Sequence, residues 1–113
     1  MSKTFTLIVF IILFFNHPSS ASHAMGGEIT YRCLGSNQYE LVFSFYRDCS
    51  GIHAPDSMVI KITNSCGFIV PDILLFPLPS SPTQINNVCS TDSTTCNGGI
   101  QNGIEQWVYS GIV

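Results

Sequence analysis

The chain has 113 residues, a net charge of −3 and only 10% charged residues. That length holds one small domain at most. Four cations in all leave no basic patch and exclude a nucleic-acid binder of the electrostatic kind.

The N-terminus carries one cation, Lys3, and then an apolar run from Phe5 to Phe15. Pro18 follows, and then the small residues Ser19-Ser20-Ala21. A positive start, a short apolar segment and small residues at −3 and −1 of a cut are the parts of a secretory signal. The run is too short to span a membrane, which takes about 20 residues. We therefore read residues 1–21 as a signal peptide cleaved after Ala21, and residues 22–113 as a single exported domain. No transmembrane anchor is expected in the mature chain. The mature cations Arg32, Arg47 and Lys61 face seven carboxylates, and Ser, Thr, Asn and Gly supply most of the polarity.

Alternation of apolar and polar residues predicts strands, and no window carries the helical period. The first strand covers residues 28–34, with Ile29, Tyr31 and Cys33 on one face. Gly35-Ser36-Asn37-Gln38 has turn chemistry. Residues 39–47 return as a second strand with Leu41, Phe43 and Phe45 inward, completing a hairpin. A third strand is predicted over 57–63, with Met58, Ile60 and Ile62 inward. Residues 68–76 read as an edge strand interrupted at Pro71, because proline cannot donate to a ladder. Pro77, Pro79 and Pro82 make a stiff connector, and residues 86–102 read as loop. A last strand begins at Ile104, with Glu105, Trp107 and Tyr109 on one face. Short strands at roughly ten-residue spacing predict an all-β fold, an antiparallel Ig-like β-sandwich supported by disulfides. Strand character persists to Val113, so the sandwich is expected to be incomplete at its C-terminal end.

Five cysteines, Cys33, Cys49, Cys66, Cys89 and Cys96, fall in the exported part. Outside the cytoplasm cysteines default to disulfides. A structural zinc site would bring a Cys-x-x-Cys pair or a spaced histidine, and neither occurs. The odd count points to a partner outside these residues, an intermolecular bridge or a free thiol. Cys89 and Cys96 are expected to bridge, since the Ser/Thr-rich segment between them closes easily.

The motifs for nucleophilic, metallohydrolase or phosphate-loop chemistry are missing from the sequence. Arg47, Asp48, His53 and Asp56 sit at a hairpin end and in a turn, where Asp normally shapes the chain. Asp92 among the hydroxyls of residues 93–95 offers one carboxylate, thin for a hard cation that wants several. No catalytic residue, cofactor or metal is assigned. Tyr31, Tyr46, Trp107 and Tyr109 are the candidates for a surface-binding aromatic platform, since such rings present an apolar body and a polar tip.

Two long stretches have a family look. One runs Ser22-His23-Ala24-Met25-Gly26-Gly27-Glu28-Ile29-Thr30-Tyr31-Arg32-Cys33-Leu34-Gly35, then Tyr39-Glu40-Leu41 and Phe45-Tyr46-Arg47-Asp48-Cys49. The other runs Thr94-Thr95-Cys96-Asn97-Gly98-Gly99, then Gly103-Ile104-Glu105-Gln106-Trp107-Val108-Tyr109-Ser110-Gly111. Together they resemble the N-terminal domain of large secreted surface proteins of Bacteroidota. Those proteins carry PKD or other Ig-like repeats and a gliding-motility-associated C-terminal sorting domain. The resemblance implies secretion or cell-surface display through type IX secretion. It also implies partnership with further domains of the same modular protein, and more cysteines beyond these residues. The chain departs from the family in holding no repeats and no sorting domain, and it reads as a piece of such a protein. The function this implies is a non-catalytic adhesion or structural module, with extracellular glycan or protein as ligand. The alternative is a carbohydrate-binding accessory module of a secreted hydrolase, motivated by the Tyr and Trp content.

Overall fold

The computed structural model describes residues 24–113 apart from 68, 87 and 90. The expected signal peptide, 1–21, lies outside the described residues. Six strands follow in order: β1 (Ala24–Gly35), β2 (Gln38–Asp48), β3 (Met58–Ile60), β4 (Ile73–Pro77), β5 (Thr83–Gln84) and β6 (Ile104–Ile112). A single 3-10 turn, Thr95–Asn97, is the helical element among the described residues. The strands run β1-β2-β6-β4-β3, all antiparallel, with β5 also paired to β6. The sheet curls into a half-barrel. The fold is therefore all-β and antiparallel, as the alternation predicts, and it holds one disulfide, Cys49–Cys96.

The β1–β2 hairpin turns on Ser36 and Asn37, whose φ angles are 51° and 60°. Positive φ at both central residues makes the turn twist with the strands it joins. Asn tolerates this conformation well. Pairing is regular from Gly26↔Tyr46 to Cys33↔Tyr39, with an irregularity at each end. β6 then lies along the other edge of β2, setting Phe43 opposite Tyr109, Phe45 opposite Trp107 and Arg47 opposite Glu105.

Residues directly opposite in an antiparallel pair share a face. The concave face thus collects Leu41, Phe43 and Phe45 from β2 with Trp107 and Tyr109 from β6. Leu41, Leu75 and Tyr109 are its buried centre, and Met58, Ile60, Ile62, Ile73 and Val113 pack against them. Burying one such side chain is worth about 1.5–3 kcal/mol. Gly111 lets β4 come close: a Cβ there would meet Leu75 Cδ2 at 2.6 Å and the Leu74 carbonyl at 3.1 Å.

The third strand is shorter than expected. Only Met58–Ile60 pairs, with Leu75, Leu74 and Ile73 of β4. Pairing in the predicted 68–76 segment starts beyond Pro71, at Ile73. β5 and the 3-10 turn have no counterpart in the alternation, being too short to show a period.

Candidate functional site

The chemically richest region is where β2 ends and β6 begins. Arg47 is 5% exposed. Its Nη1 donates to Glu105 Oε1, directly across the ladder. Its Nη2 donates to the Gly51 carbonyl at 2.9 Å and reaches the Cys49 carbonyl at 3.4 Å. Trp107 donates its indole N–H to the same Glu105 oxygen at 2.7 Å. Arg47 Nε has no acceptor among the described residues. The Cys49–Cys96 disulfide closes the same corner. Cys49 N–H donates to the Gly103 carbonyl at 2.9 Å, continuing the β2–β6 ladder one step past Asp48↔Ile104.

This bridge corrects the expected Cys89–Cys96 pairing. Strand pairing across the sheet, rather than closeness in sequence, brings Cys49 to Cys96 over 47 residues. Cys33, Cys66 and Cys89 are exposed and unbridged. A cross-link over such a separation restricts the unfolded chain more than a short loop would.

Side chains tie residues 94–104 to Gln84, Asn86 and one another. Thr94 is fully buried, and its hydroxyl donates to Gln84 Oε1 at 2.9 Å while accepting from Cys96 N–H. Gly103 N–H donates to Thr95 Oγ1, and Ile104 N–H donates to Asn86 Oδ1. A side chain at Gly103 would overlap Cys96 Sγ and Thr94 Oγ1.

Two sulfurs and a Glu105 oxygen lie within 4.8 Å of one another here. The sulfurs are joined, so they offer no thiolates, and Glu105 is already held by Arg47 and Trp107. A cation beside the buried guanidinium would also be repelled. The corner is a brace and makes a poor metal centre.

Of the residues weighed for catalysis, Asp48 accepts from Ser50 N–H at 2.8 Å and Ser50 Oγ at 2.6 Å, shaping the turn. His53 is exposed on the following segment. Asp92 lines an open groove of about 500 Å³ with Thr91, Ser93, Gly98, Gly99 and Gln101, and is the one carboxylate in that lining.

The aromatic platform expected from sequence divides. Tyr109 is 0% exposed, which corrects its place among surface residues. Opposite Pro77 in the β4–β6 ladder, it clusters with Leu41 and Leu75, and its hydroxyl donates to the Pro55 carbonyl at 2.7 Å. Burial, and then the charge of Asp56, push its phenol above the ordinary tyrosine range. Trp107 is half-buried, stacked on Tyr109 and committed to Glu105. Tyr46 is half-buried, accepting from Gln106 Nε2 at 3.2 Å. Tyr31 alone of the four is open, 74% exposed on β1. It meets Tyr39 edge-on at 6.2 Å between ring centres. Tyr39, another amphipathic ring of the hairpin, belongs to this surface, lying opposite Cys33 and diagonal to Tyr31.

No family model, curated protein or solved structure matches the chain.

Proposed function

We propose that this domain is a non-catalytic extracellular β-module of a secreted or surface-displayed protein, with an adhesive or structural role. In this reading the curled sheet belongs to an Ig-like β-sandwich. The observation that carries the reading is how the ionic and covalent centre is used. Arg47, Glu105, Trp107 and the disulfide all brace one corner of the sheet, and the two Arg47 Nη atoms, Glu105 Oε1 and the Trp107 N–H hold backbone and each other. The disulfide fits an oxidising compartment, and the N-terminal segment fits export. The resemblance to the Bacteroidota surface proteins supplies the natural partners, further domains of the same chain.

The test is intact-cell labelling together with mass determination of the N-terminus. The reading predicts a chain beginning at Ser22 and accessible to a membrane-impermeant reagent. A chain retained inside the cell with Met1 to Ala21 attached would overturn it.

A second reading, a carbohydrate-binding accessory module, is favoured by the Tyr31–Tyr39 pair. Glycan titration of wild type and Tyr31→Ala decides it. Binding lost at least tenfold in the variant supports it, since aromatic faces supply much of such contacts. No binding by the wild type rejects it.

A further inference from the structure

We propose that the free edge of β1 pairs antiparallel with β1 of a second copy of this chain, setting Thr30 opposite Thr30. Among the described residues β1 pairs with β2 only, so its other edge is open. All twelve of its residues are exposed. Such an edge is a template for another strand. Natural sheets usually blunt it with lysines, proline or very short length. β1 has neither lysine nor proline, and between its two end irregularities its register with β2 is unbroken from Gly26 to Cys33.

The register follows from charge. Only alternate residues direct their N–H and C=O to a given edge, so a two-fold axis relating identical strands must fall on a residue. Placed on Glu28 or Arg32, it sets like charges face to face. Placed on Ile29 or Tyr31, it leaves both charges opposite uncharged residues. Placed on Thr30, it sets Glu28 opposite the second copy's Arg32 twice, and Ile29 opposite the second copy's Tyr31 twice. Opposite residues share a face, so the charged pairs lie together on the convex side. Arg32 already holds Glu40 across the hairpin at 2.7 Å. In the dimer it stands between two carboxylates. Glu28 has the Tyr46 hydroxyl at 3.5 Å, which leaves room for a stronger donor.

The concave side agrees. Ile29 and Tyr31, 54% and 74% exposed, continue the row of Phe43 and Leu41 past the covered part of the sheet. Pairing joins the two copies' rows and covers these four side chains. Gly27 falls opposite Cys33, so the contact needs no intermolecular disulfide.

The experiment is sedimentation equilibrium of the purified protein, its Glu28→Arg and Arg32→Glu variants, and an equimolar mixture of the two variants. The wild type is expected to dimerise. Each variant alone places like charges opposite each other twice, and dimer affinity is expected to fall tenfold or more. In the mixture every pair is again opposite in sign, so a heterodimer forms, which also shows that both variants are folded. A monomeric wild type overturns the proposal. So do single variants that dimerise as tightly as wild type, and a mixture that stays monomeric.

Discussion

β1 and β2 are the two arms of one hairpin, nearly equal in length and alike in alternation. Yet every residue of β1 is exposed, while β2 carries Leu41, Ser44 and Arg47 into the interior. The difference is strand order. β2 has β1 on one edge and β6 on the other, and its Leu41 packs in one cluster with Leu75 of β4, whereas among the described residues β1 pairs with β2 alone. Alternation tells which residues share a face; only neighbours tell whether the face is covered. The buried arm carries the brace, and the exposed arm carries the surface.

The largest break in that comparison comes from the brace. Glu105→Ala leaves the Arg47 guanidinium buried without its carboxylate. It is expected to cost about 3–5 kcal/mol, read from urea unfolding. The paired change Cys49→Ala with Cys96→Ala is expected to cost about 2–4 kcal/mol. Cys33→Ala on the exposed arm should stay within about 0.5 kcal/mol.

Tyr109→Phe removes one hydroxyl bonded to a backbone carbonyl and is expected to cost about 1 kcal/mol at neutral pH. The variant also sharpens a pH effect. The Tyr109 phenol titrates higher in the folded state than in the unfolded one. Its contribution is complete below the ordinary tyrosine range, about 10, and is lost as pH rises through that range and on to the folded value. With free thiols blocked, wild type should lose more stability on alkaline titration than Tyr109→Phe. An equal loss would assign the effect elsewhere. An effect as small as that of Cys33→Ala is expected from Ile29→Ser, within about 0.5 kcal/mol for the monomer, because that side chain is already in solvent.

Much of the fold was legible in the sequence. The hairpin, its turn at Ser36-Asn37, the inward set on β2, the residues that share a face on β6 and the start of the final strand all follow from a period of two and turn chemistry. What was not legible depends on contacts distant in sequence. The Cys49–Cys96 bridge is set by β2 meeting β6. The burial of Tyr109 is set by Leu41, Leu75 and the Pro55 carbonyl, all distant in sequence. The Arg47–Glu105 pair looks, in sequence, like two ordinary surface charges. β5 has two residues, too few to carry any pattern.

The central claim is that the corner of β2 and β6 is the structural anchor while β1 is an open edge. Native-state amide hydrogen exchange of the purified protein tests it most directly. The account predicts strong protection for Phe43 to Arg47 and Trp107 to Tyr109. It predicts that alternate amides of Gly27 to Cys33, those directed to the open edge, exchange fast in dilute solution and slow as concentration rises. Equal protection along both arms at every concentration would contradict it.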